Sequence, residues 1–125
     1  MLSDELKSFL QGGNFATFTT LLADGRPASQ VMWIDCDDVH VLINTEVHRR
    51  KFRSVSADPR VVVCAWALDD PYSYREIRGV VVETVHGAPA REHIDQLSLR
   101  YFGRPYDADE IESERVILKI RPETD

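Results

Sequence analysis

The sequence predicts a small antiparallel β-barrel with few helices, on three observations. The chain has 125 residues, which is most simply one domain. Its strand-like runs are short and closely spaced, and helical patterns occur only at the start, in one crossover and near the end. The sequence lacks the βα alternation that builds a doubly wound sheet, and it contains no GxGxxG or Walker loop. We therefore expect a mainly β fold of six antiparallel strands with short helices.

The N-terminal part of the chain contains one helix and a β-hairpin. Apolar residues recur at helical spacing in residues 2–10, and Gly12 follows as a helix stop. Residues 15–22 are rich in Thr, Phe and Leu, which favours a strand. The pair Asp24-Gly25 is a hairpin signal, so residues 28–34 should return as the second strand.

The middle of the chain should place a basic helix between two strands. Residues 35–38 are a polar turn, and the apolar run at 39–43 follows as the third strand. The helix spans about residues 46–56, and it ends before Pro59 because proline disfavours a helical conformation in the residue that precedes it. Residues 60–67 are the most strand-like run of the sequence.

The C-terminal part should contain two strands around a long helix. Residues 68–74 are predicted as a loop and residues 76–86 as the fifth strand. Proline is well placed in the first turn of the helix that we expect at 89–102. Residues 104–113 are polar and should form a loop, and the alternation of apolar side chains at 115–121 predicts the final strand.

The basic segment at residues 44–53 is the main functional signal. Four of its ten residues are Lys or Arg, although the whole chain has a formal charge of −6. Helix N–H groups and basic side chains at the end of a strand form an anion site. Arg offers forked donors and Lys a compact charge, which suit phosphate oxygens. The alternative is a solvated basic face of the helix.

Composition limits the other classes of function. The negative net charge disfavours nucleic-acid binding, which needs an extended basic surface. No apolar run approaches the roughly 20 residues of a membrane span, and the N-terminus is acidic where a signal peptide would be basic, so we expect a cytoplasmic protein. The four histidines and two cysteines show no metal-site spacing, and we expect no metal site. The expected partner is a small molecule.

Several motifs together resemble a known superfamily. The sequence combines Asn44-Thr45, Arg49-Arg50-Lys51, Asp58-Pro59-Arg60-Val61, Glu76-Ile77-Arg78-Gly79 and a final strand that leads to Pro122. Their order and spacing resemble the split β-barrel superfamily of pyridoxamine 5′-phosphate oxidase-like flavin and deazaflavin proteins. Within it, the sequence is similar to small reductases that use the deazaflavin coenzyme F420. The resemblance extends from Phe15 to Pro122.

The resemblance implies a set of cofactor-binding residues and a homodimer. The positions that match Arg49 and Lys51 bind the cofactor phosphate, and Arg50 lies beside them. By the same resemblance, one strand lies against the tricyclic ring of the cofactor, largely through its backbone. Its residues are Gln30, Val31, Met32 and Trp33. Thr45 matches a position near the polyol chain. Such proteins form homodimers with the cofactor in a groove between two barrels.

Apolar residues beyond the apparent needs of the core also favour a dimer. We expect Trp33, Trp66 and the run at 61–63 to be partly available for a partner, because closed two-fold pairing commonly covers such a surface. Members of the superfamily commonly carry a short aromatic-containing tail after the final strand. The sequence ends at Asp125, so we expect no contribution from such a tail to the cofactor site.

Three functions remain open from the sequence. The first is an F420-dependent oxidoreductase that transfers a hydride between F420 and a small unsaturated organic substrate. The second is an FMN-binding oxidoreductase on the same fold. The third is a non-catalytic carrier or haem-binding protein, because one fold supports several functions. The number of basic residues favours F420, whose polyglutamate tail is anionic. The sequence identifies no catalytic residue.

Overall fold

The computed structural model describes residues 1–123, which form seven strands, three α-helices and one short 3₁₀ helix. The helices are α1 (Asp4–Leu10), α2 (Arg50–Ala57) and α3 (Ala88–Phe102), with the 3₁₀ helix at Ala108–Glu110. The strands are β1 (Phe15–Leu21), β2 (Pro27–Trp33), β3 (Asp35–Cys36), β4 (Val41–Glu46), β5 (Arg60–Ala67), β6 (Asp70–His86) and β7 (Arg115–Pro122).

The strands form one curled antiparallel sheet in the order β2-β1-β5-β6-β7-β4-β3. Its concave face encloses the main core, in which Phe18, Ile43, Val63 and Leu118 are at most 1% exposed. These residues come from strands that are distant in the chain, so the core holds the curl of the sheet. The expected mainly β split barrel with short helices is confirmed.

The structure corrects the expected number of strands from six to seven. The additional strand is β3, inside the segment predicted as a turn, where Asp35 lies opposite Leu42 and Cys36 opposite Val41. The turn follows directly, because a side-chain oxygen of Asp37 accepts hydrogen bonds from the backbone N–H groups of Val39 and His40. Three of the four residues at 35–38 are acidic, which favours a turn when the segment is considered alone. Pairing with β4 instead holds the first two residues in an extended conformation.

Strand β6 begins at Asp70, so the prediction of a loop at 68–74 is wrong. Leu68 and Asp69 alone form the turn, and Tyr74 already lies opposite Trp66 in the ladder with β5. The register shifts between Trp66 and Ala67, which accommodates the start of β6. The polar and proline residues of this segment favour a loop locally, and pairing with β5 overrides that preference.

Strand β4 ends at Glu46, and helix α2 begins only at Arg50, so the predicted helix start at residue 46 is wrong. Glu46 lies opposite Arg115 in the ladder with β7 and is 1% exposed. All six residues of β4 are buried, because the core covers one face of the strand and α3 covers the other. On the outer face, Leu42 and Ile117 pack against Ala90 of α3.

The run at 61–63 belongs mainly to the core of a single chain, which corrects the expectation that it forms surplus apolar surface. Val61 is 4% exposed and Val63 is fully buried, while Val62 is half-buried on the opposite face of the sheet. Trp66 shares that outer face with Val62 and is also half-buried. Homodimer formation stays a prediction.

Candidate functional site

A cavity of about 390 Å³ lies where the two ends of the curled sheet approach each other. Its walls come from β1 and β2 at one end of the sheet, from β4 and β7 at the other, and from α2, α3 and the loop before β7. The lining residues are Phe15, Gln30, Val31, Met32, Trp33, Asn44, Thr45, Arg49, Lys51, Ile94, Leu97, Tyr106 and Arg115. This size is within the usual range for small-molecule sites.

The first wall is the open edge of β2. Among the strands of residues 1–123, β2 is the last in the sheet and pairs with β1 alone. Four successive residues, Gln30–Trp33, line the cavity, although side chains along a strand alternate between its two faces. The cavity therefore runs along the edge itself, where backbone N–H and C=O groups have no neighbouring strand. Such groups can hydrogen-bond the polar rim of a flat ring.

The opposite wall carries three cationic side chains, those of Arg49, Lys51 and Arg115. One buried carboxylate lies among them. The Oε2 atom of Glu46 is 3.4 Å from Nη1 of Arg115 and 4.0 Å from Nη2 of Arg49. Three positive charges and one negative charge leave an excess of two positive charges around the cavity.

Glu46 is held as a carboxylate by its surroundings. Burial by itself would raise its pKa, but backbone N–H groups of Ser113 and Glu112 and the charge of Arg115 bring the pKa below its ordinary value. Those N–H groups donate to Oε1 at 2.8 and 2.7 Å. The other oxygen, Oε2, is buried without a hydrogen bond from any described residue.

Lys51 is half-buried, and within residues 1–123 its ammonium group makes no ion pair or hydrogen bond. Burial lowers the pKa of Lys51, and the charges of Arg49, Arg115 and Arg50 lower it further. The first turn of α2 contains no acidic residue, and no side chain caps its N-terminus. The N-terminus of a helix carries a partial positive charge, which disfavours cations and stabilises anions nearby. An anion would therefore be stabilised at this position.

The end of the cavity near Trp33 is aromatic. The Trp33 ring is stacked on Tyr101, with 5.0 Å between centroids and 5° between planes. Tyr106 meets Trp33 edge-on at 6.2 Å, and the Arg115 guanidinium lies 5.3 Å from the centre of the Tyr106 ring. The Tyr101 hydroxyl donates to the Asn14 carbonyl and accepts from the Ile34 N–H, which fixes the ring under Trp33.

Almost the whole chain matches a known family. The sequence model of the family described as pyridoxamine 5′-phosphate oxidase matches residues 2–124. The chain belongs to this family. No curated protein matches the sequence.

Solved structures with the same fold have several functions. A structure named F420 reductase is 28% identical, with a TM-score of 0.84 and coverage of 98% of this chain and 97% of that chain. The haem storage protein HutZ of Vibrio cholerae is 15% identical, with a TM-score of 0.63 and coverage of 99% and 92%. An FMN-binding, pyridoxamine 5′-phosphate oxidase-related protein of Nostoc punctiforme is 14% identical, with a TM-score of 0.63 and coverage of 98% and 82%. The last two likenesses show the shared fold alone.

In this member of the pyridoxamine 5′-phosphate oxidase family, eight residues were expected at the cofactor site from the resemblance. Seven of the eight line the cavity described above. They are Gln30, Val31, Met32, Trp33, Thr45, Arg49 and Lys51. The eighth, Arg50, lines a separate depression together with Arg53 and Arg60. Binding of a cofactor by these residues stays a prediction.

The site residues predicted from the sequence did not include Arg115 or the cavity-lining residues of α3. Arg115 was assigned only to the final strand, and nothing in its neighbourhood indicates a ligand. Its place in the cavity follows from the ladder between β4 and β7, which sets it opposite Glu46. Asn44 belongs to one of the motifs that carry the resemblance, but its role depends on α3, which is remote in the chain.

Among residues 1–123, no helix is long and apolar enough to cross a membrane. In the same part of the chain, no three His, Cys, Asp or Glu side chains are grouped as metal ligands.

Proposed function

We propose that the protein is an F420-dependent oxidoreductase that transfers a hydride between the coenzyme and a small unsaturated organic substrate. The observation that carries the proposal is the cavity, which combines an open strand edge, apolar side chains and three cations. The named F420 reductase, 28% identical over nearly its whole length, supports the choice of a deazaflavin.

The cationic wall fits the phosphate group of such a cofactor. Arg49, Lys51 and Arg115 offer charge-assisted hydrogen bonds, and Glu46 neutralises only one of their charges. Burial and then the charges of the neighbouring arginines lower the pKa of Lys51, and within residues 1–123 its ammonium group has no ion-pair partner. An anionic group here would relieve that repulsion and the repulsion with the helix dipole.

The edge of β2 and the apolar wall fit the ring. Backbone groups of Gln30–Trp33 can hydrogen-bond its polar edge, and Ile94 and Leu97 of α3 exclude water on the other side. When bound, the deazaflavin supplies a hydride from its ring C5, and the protein binds, orients and shields it. We assign no acid or base among the side chains, and solvent can supply the proton.

F420 fits the charge distribution better than FMN does. A second depression, lined by Arg50, Arg53 and Arg60, adds positive charge along α2 and at the start of β5. The polyglutamate tail of F420 carries carboxylates that FMN lacks. Arg60 is already paired with Asp58 at 2.7 Å, so Arg50 and Arg53 are the cations that favour F420.

A role in haem binding receives less support from the cavity. No histidine is among the described residues that line it. The nearby buried His93 has both ring nitrogens engaged, with Asp35 and with Asn44. Whichever nitrogen ligated iron would first have to give up its partner.

We also propose that the protein is a cytoplasmic homodimer. Apolar side chains remain exposed on the described surface, among them Val31 at 62%, Leu68 at 62% and Tyr72 at 88%. A second copy would cover such a surface and could close the cavity along the edge of β2.

Titration of the purified protein with F420, FMN and haem tests the cofactor. We expect micromolar binding of F420, followed by its fluorescence, and much weaker binding of FMN. Tighter binding of FMN than of F420 would refute the choice of deazaflavin. A haem complex with a defined absorbance band, without binding of either flavin, would refute the proposed oxidoreductase.

A further inference from the structure

Four buried polar side chains form a connected row that leads into the wall of the cavity. Asp35, His93, Asn44 and Arg115 are between 4% and 8% exposed. Asp35 Oδ2 lies 2.8 Å from His93 Nε2, His93 Nδ1 lies 3.0 Å from Asn44 Nδ2, and Arg115 Nε donates to Asn44 Oδ1 at 2.9 Å. The row joins β3, α3, β4 and β7 and ends at a residue that lines the cavity.

The orientation of the Asn44 amide follows from partners that have only one possible role. The Ala90 carbonyl can only accept, and it lies 2.9 Å from Asn44 Nδ2. The Nε of Arg115 can only donate, and it contacts Asn44 Oδ1. The amide therefore directs its NH₂ group to α3 and its oxygen to Arg115.

The same logic assigns the tautomer of His93. Because Asn44 directs its NH₂ group at Nδ1, this nitrogen must accept, and the ring proton resides on Nε2. Asp35 accepts the Nε2–H, and its second oxygen accepts from Arg100 at 3.1 Å. Burial opposes the charge on Asp35, but the hydrogen bond from His93, the backbone N–H of Cys36 and the charge of Arg100 keep its pKa lowered.

Arg115 has a competing partner on its other side. The buried Oε2 of Glu46 accepts no hydrogen bond from residues 1–123 and lies 3.4 Å from Arg115 Nη1. A small rotation of the guanidinium would bring these two atoms into a closer, hydrogen-bonded ion pair and would draw the cation toward Glu46. The hydrogen bond from Nε to Asn44 holds Arg115 against that rotation.

We propose that His93, fixed by Asp35 as the Nε2–H tautomer, is a positioning residue that orients Asn44 and thereby keeps Arg115 available to an anion in the cavity. The proposal rests on the proposed function in so far as the anion is the cofactor phosphate. A different orientation of Asn44 would place its NH₂ group against Arg115 Nε, two donors facing each other, and would release Arg115 toward Glu46.

Two substitutions of His93 separate positioning from structural support. In His93→Asn, the shorter amide can place its oxygen near the site of Nδ1 and accept from Asn44, while the contact with Asp35 is lost. In His93→Gln, the longer amide can donate to Asp35 from near the site of Nε2, while the acceptor for Asn44 is lost. Each variant loses one of two buried hydrogen bonds, so thermal unfolding should show similar decreases in Tm.

F420 titration of the two variants should give different results. We expect His93→Gln to weaken binding about tenfold, and His93→Asn to stay within about threefold of wild type. Equal affinities in all three proteins, or equal weakening in both variants, would overturn the proposal. Absence of F420 binding by the wild-type protein would refute the proposed function, and the following measurement would then decide the positioning role.

Nitrogen NMR of the wild-type protein requires no ligand and no variant. We expect His93 to show an unprotonated Nδ1 and a protonated Nε2, and the Nε–H of Arg115 to be protected from exchange. The Arg115 signal should remain in His93→Asn and exchange faster in His93→Gln. A protonated Nδ1 in the wild-type protein would overturn the proposal.

Discussion

Replacement of Lys51 by methionine should weaken cofactor binding while it stabilises the free protein. Lys51 is half-buried, lines the cavity and makes no ion pair within residues 1–123. It also lies in the first turn of α2, where the helix dipole disfavours a cation. Methionine keeps the length and apolar stem of the side chain, so the substitution removes mainly the charge and its hydrogen bonds.

The expected magnitudes follow from these contacts. Loss of a charge-assisted hydrogen bond to phosphate costs about 1.5–3 kcal/mol, which raises Kd roughly 10- to 150-fold. Removal of a cation from the helix start should stabilise the cofactor-free protein by about 0.3–1 kcal/mol. For a domain of this size, that corresponds to a rise in Tm of roughly 1–5 °C.

The pH dependence has a definite sign. Burial and the neighbouring arginines lower the pKa of Lys51 in the folded protein, so the unfolded chain binds this proton more tightly. The destabilisation is therefore fully present below the folded pKa and decreases as the pH rises through it. The stability difference between Lys51→Met and wild type should shrink at alkaline pH.

The assay combines F420 fluorescence titration with thermal unfolding of the cofactor-free protein. Arg121→Met is a matched control, because Arg121 is exposed, does not line the cavity and carries the same charge. We expect the control to bind F420 with the affinity of the wild type. Unchanged affinity in Lys51→Met, or a loss in the control equal to that in Lys51→Met, would refute the assignment of Lys51 to a phosphate site.

Three further predictions concern assembly, packing and thiol chemistry. Sedimentation velocity should give twice the mass of one chain, and a stable monomer at micromolar concentration with cofactor bound would contradict the dimer. Gly79→Ala should destabilise the fold by about 1–3 kcal/mol in urea titrations. The reason is that a Cβ at residue 79 would lie 2.5 Å from the carbonyl oxygen of Arg121. An unchanged midpoint of urea unfolding would refute this close approach. Burial and the charges of Asp35 and Asp37 raise the pKa of the Cys36 thiol to about 11. At pH 8, about 0.1% of the Cys36 side chains would therefore be in the reactive thiolate form. Mass spectrometry should show far slower alkylation of Cys36 in the native than in the urea-unfolded protein, and equal rates would contradict its burial.

Local signals were sufficient for much of the fold. The pair Asp24-Gly25 predicted the first hairpin, and Gly25 has a φ of +88° that suits glycine in such a turn. The β-branched and apolar residues at 60–67 predicted β5, in which Val61, Val63 and Ala65 are buried. These features depend on residues that are neighbours in the chain, so a sequence records them directly.

The errors occurred where pairing with another strand outweighed local preference. The predicted loop at 68–74 ignored pairing with β5, and the predicted helix start at Glu46 ignored its partner Arg115 in β7. In both segments the polar residues favour turns or helix starts when considered alone. Their conformation follows from a ladder that a single segment does not show.

The candidate site divides in the same way. The sequence alone identified the basic residues Arg49 and Lys51 as an anion-binding signal, because three cations in succession are unusual in an acidic chain. Only the tertiary structure separated Arg50 from that pair and added Arg115, which lies more than 60 residues further along the chain. The position of Arg115 depends on strand register, and its orientation depends on Asn44 and a histidine of α3. A sequence records which charges are present, whereas packing decides which of them share a cavity.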